Sequence, residues 1–328
     1  MATIKEIARA CGVSEGTVDR ALHARAGIRE DTRRRILETA EQLAYTPNRV
    51  AQSLATGRTR TLGIVCFDLI NNCFTRLIDA IEAEAKANGY FINLILTHKD
   101  PRHETDGLRY LAERRVDGIG LFPVGKGDAH AAFVRGLGIP VITVFNRLDP
   151  GIPHVGIDDR GAMRDAVLYA AARGYEQIVL VSPRLGEQLA RGLNAHTMEQ
   201  RRLGYAEGLA AAGLRHGPVV AEGKDFGASL REVDFSRRTA LLCVSDAYAM
   251  LVQKHLRGIG RSVPRDVGVM GFDHVDRDRV FHPALTTVEY HVETMGRQVV
   301  RSLCRVIEGE AVDAETLLPH TIVEGETL

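Results

Sequence analysis

Arginine carries a planar fork of N–H donors that matches the O6 and N7 acceptors of guanine, so an arginine on an exposed helix face can read a base pair. Arg20 occupies such a position. It lies in the stretch Ala10-Cys11-Gly12-Val13-Ser14-Glu15-Gly16-Thr17-Val18-Asp19-Arg20-Ala21-Leu22, whose apolar spacing leaves Glu15, Gly16, Asp19, Arg20 and His23 off the buried face. Phosphate contact is the other role open to Arg20. Glu15 can accept from a cytosine amino group, and Asp19 can pair with a neighbouring arginine. A second polar set follows directly on short apolar runs: Asn71 and Phe74, Asn146 and Arg147, Ser245 and Asp246, and Asp273. An arginine and a carboxylate can each bind two adjacent hydroxyls while an aromatic face covers the apolar side of a sugar ring, so this set suits a polyol.

Reactive chemistry has no comparable constellation. The chain contains no complete Walker-type phosphate loop, no Gly-x-Gly-x-x-Gly after the first apolar run and no nucleophile-elbow serine, and its 12 histidines are scattered without metal-ligand spacing. No enzymatic activity, cofactor or metal is expected. His274, beside Asp273, can touch a ligand or serve the structure. The 5 cysteines are odd in number and mostly inside apolar runs, which suits reduced thiols in the cytoplasm. With no run of 18 apolar residues and a capped helix at the start, neither a membrane span nor a signal peptide is expected.

These side chains need elements to hold them. Thr3-Ile4-Lys5-Glu6 is a capping box, Ile4, Ile7, Ala8 and Cys11 form the apolar stripe of a first helix, and Gly12 can adopt the left-handed conformation that ends it. Ser14 caps a second helix that buries Val18, Ala21 and Leu22. A third, about Asp31 to Ala44, turns Ile36, Leu37, Ala40 and Leu43 inward. The pattern is a helix-turn-helix, with an ordinary helical hairpin as the other reading. Residues 1–60 hold 11 Lys+Arg against 7 Asp+Glu, leaving 31 against 35 in the rest of a chain that is neutral overall. So modest a basic excess predicts weak phosphate binding by one copy and a homodimer on double-stranded DNA.

From Leu62 onward, strand and helix signals alternate. Leu62–Phe67, Tyr90–Leu96, Val116–Phe122 and Ile139–Val144 form one series of buried parallel strands, and Gln177–Val181, Val219-Val220, Ala240–Val244 and Val267–Met270 form a second. Helical patterns such as Gln200–Ala212 and Ala247–Arg257 separate them. The fold class is α/β, two doubly wound parallel-sheet lobes behind a small all-α headpiece. In such sheets ligands bind beyond the carboxyl ends of the strands, which is where the polar set falls.

On Val13-Ser14, Thr17-Val18, Arg20, the arginine-rich third helix, Tyr45-Thr46-Pro47-Asn48 and Val50-Ala51-Gln52-Ser53-Leu54-Ala55, the amino-terminal segment resembles the LacI/GalR family of transcription regulators. Asn71-Asn72-Cys73-Phe74, Val155-Gly156-Ile157-Asp158-Asp159, Gly268–Asp273 and Pro283–Val288 extend the resemblance over nearly the whole chain. It implies a DNA-binding domain at residues 1–46, a hinge helix and linker at 47–61, and a two-lobed, periplasmic-binding-protein-like effector and dimerisation domain at 62–328. Its DNA-facing set is Thr3, Ser14, Glu15, Gly16, Thr17, Arg20, His23, Asn48, Arg49, Ala51 and Leu54. Leu54 would wedge into the minor groove or pack on the next domain.

The same resemblance implies an effector set led by Arg201 and Asp273, with Asn71, Asn72, Phe74, Asn146, Arg147, Ser245, Tyr290 and Phe226. Arg201 and Asp273 are otherwise an interlobe salt bridge, and Phe226 otherwise core. The implied function is repression of an operator relieved by a small hydroxylated effector (a sugar, polyol or derivative), with corepression and activation left open and an exported solute-binding protein as the rival. The chain departs from the family pattern at Asp19, Asn72-Cys73, Asn146 and Ser245, and in the extra length of Pro183–Thr197, so no known effector transfers to it.

Overall fold

The computed structural model describes residues 2–45, 53, 56–215, 219–221, 226–231, 233–275 and 282–328. Asn48, Arg49, Ala51 and Leu54 lie outside the described residues, as does the side chain of Phe226. The chain divides into two units, Met1–Thr59 and Arg60–Leu328.

The first unit contains α1 (Ile4–Cys11), α2 (Glu15–Leu22) and α3 (Glu30–Gln42). Thr3 and Glu6 cap α1 reciprocally, at 3.3 Å from Glu6 N to Thr3 Oγ1 and 2.8 Å from Thr3 N to Glu6 Oε2. Gly12 closes the helix at φ 63°, a value that favours glycine, and Ser14 then caps α2 by accepting from Thr17 N. Ile7, Ala8, Cys11, Val18, Ala21, Ile36 and Ala40 make the core. Leu37 and Leu43 do not join it, being 44% and 40% exposed. Among the described residues α3 packs on α1 and α2, and its buried stripe is narrow: Leu37 is turned about 100° from Ile36 and Leu43 follows the last helical turn.

The second unit holds two six-stranded sheets. The strands are β1 (Thr61–Cys66), β2 (Phe91–Leu96), β3 (Gly118–Leu121), β4 (Val141–Val144), β5 (His154–Ile157), β6 (Gln177–Ser182), β7 (Val219–Ala221), β8 (Thr239–Cys243), β9 (Val267–Phe272), β10 (Thr286–Glu289), β11 (Glu315–Leu318) and β12 (Thr321–Val323). The first sheet runs β11-β5-β4-β3-β1-β2 and is parallel. The second runs β12-β10-β9-β8-β6-β7, with β12 antiparallel to β10. The chain changes lobes after β5, after β10 and between β11 and β12.

The helices are α4 (Asn72–Ala87), α5 (Pro101–Glu113), α6 (Asp128–Gly136), α7 (Asp159–Ala172), α8 (Leu185–Ala190), α9 (His196–Ala211), α10 (Phe226–Arg231), α11 (Asp246–Gly258) and α12 (Val292–Ile307). Close packing of α7 on α9 depends on Gly204 and Gly208, where an added Cβ would meet the Arg160 and Arg164 carbonyls. No described helix is long and apolar enough to cross a membrane.

Candidate DNA-reading helix and interlobe cavity

In the first unit, Glu15, Gly16 and Arg20 stand exposed on α2, at spacings that bring them onto adjoining turns. Thr3, Ser14 and Thr17 spend hydroxyl contacts on capping, with Ser14 Oγ and Thr17 Oγ1 2.9 Å apart. His23 ends α2, its Nδ1 3.1 Å from Asp19 Oδ1, and Arg25 pairs with Asp19 at 3.2 Å. The carboxylate is therefore engaged, whereas Arg20 is exposed and makes no ion pair among the described residues.

In the second unit a cavity of about 380 Å³ opens between the carboxyl ends of the two sheets. Asn71, Phe74, Asn146, Arg201, Ser245, Asp273 and Tyr290 all line it. Phe67, Phe74, Phe145, Tyr248 and Tyr290 supply an aromatic wall, with Phe74 edge-on to Phe67 at 5.6 Å and to Phe145 at 5.8 Å.

Arg201 is 3% exposed and projects from α9. Its Nε donates to Asp159 Oδ1 at 2.7 Å, its Nη1 donates to the Val244 carbonyl, and its guanidinium lies 3.6 Å from the Phe272 ring centroid. Among the described residues Nη2 has no hydrogen-bond partner. Burial opposes the charge, but Asp159 and Asp273 outweigh it and hold Arg201 protonated. Asp273 accepts from Tyr290 Oη at 2.9 Å and from Asn71 Nδ2 at 3.2 Å, and burial raises its pKa despite Arg201. Its backbone has φ 112°, a strained value for a non-glycine residue. The salt-bridge partner of Arg201 is thus Asp159, whose own pKa burial pushes up to about 6.

Three expected contacts, Arg147, Asn72 and Asp246, need correction. Arg147 turns out of the cavity to pair with Glu315 at 2.9 Å, because β11 joins the sheet edge beside it. Asn72 is exposed and opens α4, its carbonyl accepting from Thr75 Oγ1. Asp246 points back into its lobe, accepting from Thr287 Oγ1 at 2.6 Å and Val275 N at 2.8 Å, and burial lifts its pKa to about 7. Asn146 lines the cavity but spends its amide on the Pro123 and Asn194 carbonyls and on Thr197 N, each at 3.1 Å, so it staples one lobe to the other. His274 is also structural, its Nδ1 meeting Glu289 Oε2.

Sequence reasoning misses Asp159, the ion-pair partner behind Arg201, and, among the residues that line the cavity, Thr197. Asp159 follows β5, and the strand-end rule that selects Asn71 also selects it. Thr197 lies one helical turn before Arg201. Thr197 lines the cavity, and its buried hydroxyl has no hydrogen-bond partner among the described residues.

Residues 3–48 match the family described as bacterial regulatory proteins, lacI family, and residues 167–328 match a periplasmic binding protein-like domain. The HTH-type transcriptional regulator RegA of Clostridium acetobutylicum is 30% identical over 335 residues, covering 99% of each chain. Among solved structures, the lac repressor dimer bound to operator and the anti-inducer ONPF superposes with TM-score 0.84 at 23% identity, covering 99% of this chain and 98% of that one. A periplasmic binding protein/LacI transcriptional regulator from Alkaliphilus metalliredigens, complexed with D-xylulofuranose, gives TM-score 0.69 at 23% identity, covering 82% of this chain and 98% of that one.

Proposed function

Since the chain belongs to the LacI family of bacterial regulatory proteins and is a DNA-binding transcriptional regulator rather than an enzyme, we propose that it is a homodimeric repressor released or retained by a small hydroxylated effector. Two copies of α2 enter successive major grooves, with Arg20 reading a guanine and Glu15 a neighbouring base. The basic excess of residues 1–60 supports this reading, because one module binds phosphates weakly and two bind tightly.

The effector half rests on one observation: the cavity keeps uncommitted hydrogen-bonding groups beside an aromatic wall. Arg201 Nη2, the Thr197 hydroxyl and the spare lone pairs of Asp273 suit adjacent hydroxyls, and Phe74 and Phe145 suit the apolar face of a sugar ring. Tyr290 and Asp159 sit where the chain changes lobes, so a ligand on Asp273 and Arg201 acts directly on the crossings. Control of DNA follows if the ligand favours one lobe arrangement over another.

A thermal-shift panel of monosaccharides, sugar alcohols, sugar acids and purines tests the effector class. At about 100 times its dissociation constant a true ligand stabilises the fold by roughly 2.7 kcal/mol. Stabilisation by a sugar or polyol that Asp273→Ala abolishes supports the reading. A purine as the sole stabilising compound replaces the ligand class, and no stabilisation by any compound removes the effector claim.

A further inference from the structure

We propose that residues 183–195, between β6 and α9, are a latched lid that sets the size limit and outer contact of the ligand, a proposal that rests on reading the cavity as an effector site. Pro183, Gln188, Leu193, Asn194 and Ala195 all line the cavity, so one connection supplies its outer wall. The helix inside this connection, α8, has no buried residue, and the segment gains its anchorage at Leu193 and Ala195, which are buried, and at Asn194.

Asn194 is the latch. It belongs to the lobe of β6, yet its N–H donates to the Val124 carbonyl at 2.7 Å and its Nδ2 donates to the Arg147 carbonyl at 2.9 Å, both on the opposite lobe. Asn146 answers from that lobe by donating to the Asn194 carbonyl at 3.1 Å. The lid therefore closes only when both lobes present these carbonyls in register. Gln188 is its outer polar contact, since the residue lines the cavity and its side-chain amide has no hydrogen-bond partner among the described residues. Under this lid the cavity, about 380 Å³, stands near the lower end of the roughly 300–1,000 Å³ spanned by small-molecule sites. That volume accommodates one sugar ring, and a second, linked ring would have to extend against the lid.

Cys73 reports on the lid without any ligand, because its buried Sγ lines the cavity 2.8 Å from Tyr290 Oη. In the full chain, Cys73 modification by iodoacetamide and by the bulkier fluorescein maleimide is followed by peptide mass spectrometry. Three proteins are compared: wild type, Asn194→Ala, and a variant with Leu185–Ala190 replaced by two glycines. Loss of the side-chain latch in Asn194→Ala speeds Cys73 labelling roughly fivefold. The shortened lid speeds the bulky reagent more than the small one, while Cys66 and Cys243 stay protected. Unchanged Cys73 rates in both variants, or a rise shared by Cys66, Cys73 and Cys243, overturns the lid. In parallel, cellobiose that stabilises wild type as strongly as D-xylulose overturns the size limit, whereas cellobiose stabilising only the shortened variant supports it. Should no sugar bind any of the three proteins, the effector reading fails and the labelling result still decides the lid.

Discussion

Arg201→Met leaves the Asp159 carboxylate, 5% exposed, without its cation. Breaking a buried ion pair from one side costs about 3–5 kcal/mol, and lost stacking on Phe272 adds about 1 kcal/mol. For a unit of this size each kcal/mol is worth about 2–4 °C, so the melting temperature falls by roughly 8–24 °C. The loss depends on pH. Burial already holds the folded Asp159 pKa at about 6 against the ordinary 3.8, and without Arg201 it rises further. A raised folded pKa means the native state holds the extra proton, so stability declines as pH rises from near 4 through the folded value. Urea denaturation of Arg201→Met at pH 5 and pH 8 should therefore give the larger cost at pH 8. Asp159→Asn in the Arg201→Met background should recover much of it and flatten the pH dependence. A cost below about 1 kcal/mol, or an equal cost at both pH values, refutes the assignment of Arg201 and Asp159 as a stabilising pair.

The same geometry fixes three further outcomes. Asp246, with a folded pKa of about 7 against 3.8, makes wild type less stable as pH rises from near 4 through 7; urea midpoints across that range should fall less steeply in Asp246→Asn. Gly204→Ala forces a methyl group into the Arg160 carbonyl and should cost about 3 kcal/mol by parting α7 from α9, read as a lower melting temperature. Arg20→Ala should weaken binding to duplexes enriched from a random pool by about 1–3 kcal/mol and relax preference at one position; a uniform loss across all sequences would mean a phosphate contact instead.

Local chemistry makes the headpiece and most strands legible in the sequence. Caps at Thr3 and Ser14 and the glycine at Gly12 act over three or four residues, and unbroken apolar runs such as residues 64–67 have few alternatives to a buried strand. β11 and β12 are not legible, because Glu315–Leu318 and Thr321–Val323 are short, half-exposed edge strands whose pairing is fixed only by distant partners. Within the cavity, strand ends locate Asn71, Ser245 and Asp273. Side-chain direction cannot be read at Arg147 and Asp246, each of which follows a strand but is claimed by a non-local partner, Glu315 and Thr287. Thr197 is missed for the opposite reason, since its significance lies in the lack of a partner.

Control of DNA binding by a small hydroxylated molecule in the interlobe cavity is tested most directly by fluorescence anisotropy. An enriched duplex is titrated with full-length protein, with and without a saturating sugar or polyol from the thermal panel. The expected result is a change in DNA affinity of roughly 5–150-fold in wild type and none in Asp273→Ala, whose DNA affinity without ligand matches wild type. Equal affinity with and without the ligand, or a ligand effect that survives Asp273→Ala, would contradict it.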